Sequence, residues 1–184
     1  MGTRTIVAVD LDETLVHCDT AGRCARLAPR GSFQMHRETY RVYVRPGAEI
    51  FLRRLQGDGH VVGVWTAATR LYATRVLRLA FPWFLPAFLL ARAECRLCDG
   101  RLVKDLRVFA VPMLLVDDNA HHREFNEAAR SAGAVVLCSP YDPLRPDPGA
   151  LARVLREIRS RTPLPRRDGR VRRAGTPISR ATHP

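Results

Sequence analysis

The stretch Ile6-Val7-Ala8-Val9-Asp10-Leu11-Asp12-Glu13-Thr14 decides the fold. Its four leading apolar residues run without alternation, the pattern of a strand buried on both faces, and the run stops at Asp10. In an open α/β sheet, ligands bind at the carboxyl ends of the strands. Buried like charges need an opposite charge, so two carboxylates at such a place point to a metal site with one acid left free for proton transfer. A pair of acids that merely caps a turn is the plain structural alternative.

Two more runs end in the same way. Val61 to Trp65 reads as a second buried strand and delivers Thr66, and Met113 to Val116 reads as a third and delivers Asp117 and Asp118. Ala134 to Leu137 follows as another strand. Helices are expected between them. The first starts near Pro46-Gly47, presents Ile50, Phe51, Leu52 and Leu55 on one face, and ends by Gly57 and Gly59. The second is capped by Thr69 and carries Leu71, Tyr72, Val76, Leu77 and Leu79. A third runs from about His121 to Ser131, ending at Gly133, and a last from about Pro148 to Ile158. Tyr40 to Val44 alternates like a strand, residues 17–38 suit a hairpin or flap, and Asp99-Gly100 is a hairpin turn signal. This order describes an α/β protein of three layers, with a mostly parallel sheet between helices.

At 184 residues the chain suits one domain, expected over residues 1–160. The formal charge of +12 is unevenly placed. Residues 161–184 hold seven Arg against one Asp, and this Pro-, Gly- and Arg-rich tail is expected to be disordered. Arginine outnumbers lysine 29 to 1, a ratio that coding bias explains, and it makes the single lysine, Lys104, conspicuous. No secretory apolar stretch precedes Ile6, and the most apolar segment, Phe81 to Ala91, is too short and Pro-broken to span a bilayer. Five cysteines and no signal peptide favour a reducing compartment, hence a soluble intracellular protein of the nucleus or cytoplasm. Buried thiols are the expectation for them, with zinc held by Cys18, Cys24, Cys95 and Cys98 as the alternative.

Side chains just beyond parallel strands converge on one edge of the sheet. Carboxylates from separate strands can therefore share a hard cation such as Mg²⁺, which takes oxygen ligands, waters and substrate phosphate. Asp10 then stays ionised and can act as a nucleophile, while Asp12 can protonate a leaving group and afterwards take a proton from water. Thr66 offers a hydroxyl and its neighbours backbone N–H groups to a phosphoryl group, with Lys104 and Arg92 as the positive clamp. His121 and His122, at a helix start, are expected at the surface.

DLDETLVH at 10–17 resembles the first motif of the haloacid dehalogenase superfamily in its FCP/SCP-type form, phosphatases of the C-terminal repeats of RNA polymerase II and related phosphoproteins. VYVRPGAEIFL at 42–52, WTAATRLYA at 65–73, VKDL at 103–106 and LLVDDN at 114–119 are similar to further blocks, in order, so the resemblance covers roughly residues 5–158. It implies a Rossmannoid fold with a small flap and no large cap, and a Mg²⁺-dependent hydrolysis through an aspartyl-phosphate. By resemblance, Asp10 is nucleophile and metal ligand, and Asp12 is general acid/base with its carbonyl near the metal. Thr66 and Lys104 bind phosphate, and Asp117 and Asp118 complete the metal set. Thr14, Ala67, Arg92 and Tyr72 fall at substrate- or phosphate-side positions. The chain departs from the small members at Asp118-Asn119-Ala120, where Asn-Ser-Pro is frequent, and at Ala68, where Ser is common.

The expected activity is that of a protein serine/threonine phosphatase on extended phosphopeptides, with the polymerase repeats as one substrate, in a monomeric protein without membrane attachment. The basic tail is expected to attract polyanions, nucleic acid among them. A nucleic-acid 3′-phosphatase and a non-catalytic phosphoprotein-binding module on the same fold remain as alternatives.

Overall fold

The computed structural model describes residues 4–162. The tail expected over 161–184 lies outside the described residues from 163 onward. The elements in chain order are β1 (Ile6–Val9), β2 (Val16–Asp19), β3 (Gly31–Met35), β4 (Glu38–Val44), α1 (Ala48–Gly57), β5 (Val61–Trp65) and α2 (Arg70–Ala80). They continue as β6 (Leu89–Leu90), β7 (Arg96–Cys98), β8 (Arg101–Val103), β9 (Met113–Asp117), α3 (Ala120–Ala128), β10 (Ala134–Leu137) and α4 (Ala150–Arg161). The central sheet has the order β10-β9-β1-β5-β6 with every pair parallel. The expected three-layer Rossmannoid architecture is the one observed.

Alternation along the strands builds two cores. Val7, Val9, Val62, Val64, Leu114, Val116 and Val136 face α1, α2 and α4 in the larger one. Ala8, Trp65, Met113, Leu115 and Val135 face the other way, against Leu106, Phe88 and Phe109. Full burial of each such Val, Leu, Met or Phe side chain stabilises by about 1.5–3 kcal/mol. Gly63 belongs on the second face because Phe88 lies flat against it. A Cβ there would stand 2.3 Å from the ring, so Gly63→Ala forces the ring away.

Helix faces follow the 100° step, with corrections. The buried stripe of α1 is Ala48, Phe51, Leu52 and Leu55, and Ile50, expected on it, is exposed. In α2 the buried residues are Tyr72, Ala73, Val76, Leu77 and Ala80, so Leu71 also faces solvent. In both cases the apolar residue sits one step off the i, i+3, i+4 stripe. Thr69 caps α2 as expected, its side chain accepting from the Tyr72 N–H at 3.4 Å. The third helix is shorter than the hydrophobic pattern suggested. Arg130 takes a left-handed φ of 49°, and N–H groups of Arg130 and Ser131 return to the carbonyls of Glu127 and Asn126. An arginine thus closes α3 in the conformation usually given to glycine, three residues before Gly133.

The segment after β1 forms a separate three-stranded antiparallel sheet, β2-β4-β3, which contacts α2 and makes the expected flap. Asp99 and Gly100, both with positive φ, turn β7 into β8. No helix among the described residues is long and apolar enough to cross a membrane.

Candidate active site

The register of the sheet sets the site. Val9 pairs with Val64 on one side and Val116 on the other, which puts Asp10 level with Asp117 and one residue short of Thr66. The Asp10 N–H continues the ladder by donating to the Val116 carbonyl at 2.9 Å. Three strand ends therefore open on one cleft of about 160 Å³, lined by Asp10, Asp12, Thr66, Ala67, Lys104, Asp117 and Asp118 among others.

Lys104 is the centre of it. Its side chain is 2% exposed, and Nζ donates to Asp10 Oδ1 at 2.5 Å and to Asp117 Oδ2 at 2.6 Å. Burial opposes the ammonium, but Asp10 and Asp117 together outweigh it and raise the Lys104 pKa above its ordinary value. Burial pushes the Asp10 carboxyl up, with Lys104 pulling against it and Asp117 and Asp12 adding to it. Asp117 Oδ1 also accepts from the Asn119 N–H at 2.9 Å. Asp118 is pushed up to about 6 by burial and by the charge of Asp117, and Thr14, itself fully buried, donates to it at 3.4 Å. Thr14 thus bonds Asp118 and does not itself line the smaller cleft.

One ammonium among Asp10, Asp117 and Asp118 leaves an excess of negative charge. Carboxylate oxygens of those three residues lie within 4.8 Å of one another. Hard oxygen donors at that separation, raised carboxyl pKa values and an open side fit a divalent cation. Among the described residues this is the one cluster of potential ligands close enough to hold an ion, so the cysteines assemble no four-ligand zinc site.

Asp12 belongs to a second, larger cleft of about 480 Å³ as well, shared with Cys18, Met35, Tyr40, Tyr72 and Arg92. The Tyr72 hydroxyl donates to the Asp12 carboxylate. Burial raises the Asp12 pKa and the tyrosine bond lowers it in part. Phe33 and Tyr40 stack at 5.2 Å and both meet the Tyr72 ring edge-on, so the flap and α2 make an aromatic wall. Arg92 is exposed at the rim, its Nε donating to the Ala67 carbonyl at 3.0 Å. Thr66 Oγ1 accepts from the Ala68 N–H at 3.1 Å, which shapes the turn after β5. Cys18 has its thiol pushed up to about 12 by burial and by Asp12. At pH 8 it is almost wholly protonated, so iodoacetamide should alkylate Cys18 more than about tenfold slower than an ordinary thiol of pKa near 8.5. Peptide mass mapping over time checks this.

Two buried polar residues beside the site, Arg45 and Asn126, carry no functional expectation from the sequence, and a third, His122, lies where the sequence did not place it. Arg45, 1% exposed, ties the turn after β1 to the segment after β10 by donating to the Thr14 carbonyl at 3.1 Å, Cys138 Sγ at 3.1 Å and Ser139 Oγ at 3.2 Å. His122 is buried and lines the smaller cleft, against the expectation of a surface histidine; burial lowers its pKa to about 4. Asn126, one turn further along α3, is buried as well. A run of apolar neighbours around Arg45 and the four-residue spacing of His122 and Asn126 are the only sequence signals for them.

The parallel sheet, the acids at its strand ends and the flap beside them define the haloacid dehalogenase-like Rossmannoid class. A model of the NLI interacting factor-like phosphatase family matches residues 5–132, and the chain belongs to that family. CTD small phosphatase-like protein 2 of Dictyostelium discoideum is 31% identical over 120 residues, which cover 62% of this chain and 20% of that protein. Among solved structures, the essential RNA polymerase II CTD phosphatase Fcp1 matches with a TM-score of 0.58 and 18% identity, over 88% of this chain and 51% of that one. A variant of the fission yeast RNA polymerase II CTD phosphatase Fcp1 bound to beryllium fluoride matches at 0.57 and 19%, over 86% and 50%. The chain spans about a fifth of the curated relative's length and about half of the solved ones. The resemblance to FCP/SCP-type phosphatases is therefore borne out at the level of family and fold.

Proposed function

We propose that this chain hydrolyses phosphoserine or phosphothreonine in extended peptides, through a phosphoryl group carried transiently on Asp10 and with Mg²⁺ as cofactor. The observation that carries this reading is the position of Asp12 on both clefts: the smaller one holds the nucleophile and cation-binding acids, and the larger one has room for the leaving group. Asp10, Asp117 and Asp118, with the Asp12 main-chain carbonyl, would hold Mg²⁺, which supplies charge neutralisation to the phosphoryl oxygens.

The chain's own groups do the rest. An Asp10 carboxylate oxygen attacks phosphorus and the bond to the ester oxygen breaks, while Asp12 gives that oxygen its proton. Asp12 then takes a proton from water, whose oxygen attacks phosphorus and releases inorganic phosphate and the Asp10 carboxylate. Lys104 favours the ionised form of Asp10 against its burial, and Thr66 with the Ala67 N–H receives the transferring oxygens. Arg92 at the rim and the aromatic wall favour a phosphate on a larger body. The polymerase repeats named for the relatives are one candidate substrate.

Asp12→Asn should lose about 10²–10⁴-fold in turnover of an alkyl phosphate, since general acid assistance supplies that much, and far less with a p-nitrophenyl leaving group. Steady-state kinetics on the two substrates check this. A panel of phosphopeptides and a 3′-phosphorylated oligonucleotide at equal salt tests the substrate class. Preference for the oligonucleotide would favour a nucleic-acid end phosphatase, to which the chain's net charge of +12 lends a motive. Phosphopeptide binding without phosphate release would favour a binding module.

A further inference from the structure

The inward face of α3 is polar where an amphipathic helix would be apolar: its buried residues are His122 and Asn126. Both send hydrogen bonds to the same short segment. His122 Nδ1 accepts from the Lys104 N–H at 3.4 Å. Asn126 Nδ2 donates to the Lys104 carbonyl at 2.8 Å and to the His122 carbonyl at 2.7 Å, while its Oδ1 accepts from the Leu106 N–H at 2.8 Å. The main chain of residue 104 is thus gripped at its donor and at its acceptor. It lies just past β8, a strand of three residues, in a stretch that leaves the β7-β8 hairpin and joins no sheet before β9.

We propose that His122 and Asn126 are positioning residues that act through Lys104, holding its main chain so that the ammonium lands between Asp10 and Asp117. The proposal rests on the phosphatase reading of the site for its consequence in turnover, and on geometry alone for the placement of the lysine. The four-carbon stem of a lysine has many rotamers, and its ammonium reaches both carboxylates only if the main chain from which it springs is fixed. A displacement of 1 Å at a reacting centre costs on the order of 10²-fold in rate. The register of a three-residue hairpin strand cannot supply that precision alone, and α3, packed against β10 and β8, does.

Lys104 is the only lysine of the chain, so its amine can be followed singly by acetylation with an N-hydroxysuccinimide ester and mass mapping. In the wild-type full chain the buried, doubly paired ammonium should react slowly. Asn126→Leu and His122→Phe should speed its labelling by about tenfold or more through local opening of the gripped segment. Val154→Ala in the distant α4 core, a destabilising control, should label at close to the wild-type rate. Labelling of Asn126→Leu no faster than that of Val154→Ala would overturn the proposal. His122→Gln and Asn126→Asp, which keep volume and part of the bonding, provide folded variants if the larger changes unfold the chain, and intermediate labelling is expected of them.

A kinetic cycle adds the second readout. Asn126→Leu should lower kcat for p-nitrophenyl phosphate by about 10–100-fold on the wild-type background and by less than about twofold on a Lys104→Met background. Equal factors on both backgrounds would mean a general structural role and would overturn the proposal. If the wild-type chain releases no phosphate from any substrate, the phosphatase reading falls while the labelling result still decides the placement.

Discussion

Asp10→Asn should reduce turnover of p-nitrophenyl phosphate to background while leaving the protein folded. The amide nitrogen and oxygen copy the shape of the carboxylate but neither attacks phosphorus, so the covalent step is lost as a whole. The fold should tolerate the change well. Lys104 keeps its bond to Asp117 at 2.6 Å and an oxygen acceptor at position 10. One of the crowded negative charges is removed, and the remaining acids repel less. The melting temperature should therefore hold or rise in buffer without divalent cation. Turnover retained by the purified variant would reject Asp10 as nucleophile, and collapse of the fold would reject the electrostatic account of the cleft.

Lys104→Met should separate stability from chemistry. Methionine fills much of the space of the lysine stem but leaves Asp10 and Asp117 buried without their ammonium. Removing one partner of a buried pair typically costs about 3–5 kcal/mol, because the surviving charge stays desolvated. Loss of a group that stabilises transferring charge should also cost about 10²–10³-fold in kcat. The pKa of Lys104 is raised in the folded state, so its contribution to stability is fully present below the unfolded value near 10.4 and is lost only as pH climbs through the still higher folded value. The ammonium's own contribution to the gap should accordingly be constant from pH 7 to 9. Added Mg²⁺ should narrow that gap by neutralising the acids without restoring kcat, since its charge replaces the ammonium but not its direction. Urea titrations with and without Mg²⁺, alongside kinetics, read both effects.

The strands and the acids they deliver were legible because sheet burial and site placement use the same signal. An unbroken apolar run such as Ile6 to Val9 or Met113 to Val116 has no exposed face, and a carboxylate at its end cannot be part of it. Lys104 stood out through composition alone. Where legibility failed, polarity and burial were decoupled. Arg45, His122 and Asn126 are polar and buried, held mostly by hydrogen bonds that reach across 18 to 94 residues and leave little local pattern. Ile50 and Leu71 are apolar and exposed, a choice the helix permits because a single exposed apolar side chain costs little. The end of α3 was misplaced because Arg130 adopts a conformation for which glycine is the usual marker.

The central place of β1 has a consequence for how the protein comes to be made. Its two neighbours in the sheet are β5 and β9, and the bond from Lys104 to Asp10 spans 94 residues. At about 5–20 residues per second of synthesis, β1 leaves the ribosome roughly 5–20 s before β9 is available to flank it. For that interval Ile6 to Val9 is an uncharged, β-prone segment without a second partner, the kind of sequence that seeds aggregation. Asp10, Asp12 and Glu13 follow it directly, and charges flanking such a run oppose its pairing with copies of itself. The acids proposed to transfer phosphate in the folded protein would thus serve earlier as solubilising guards of the nascent chain.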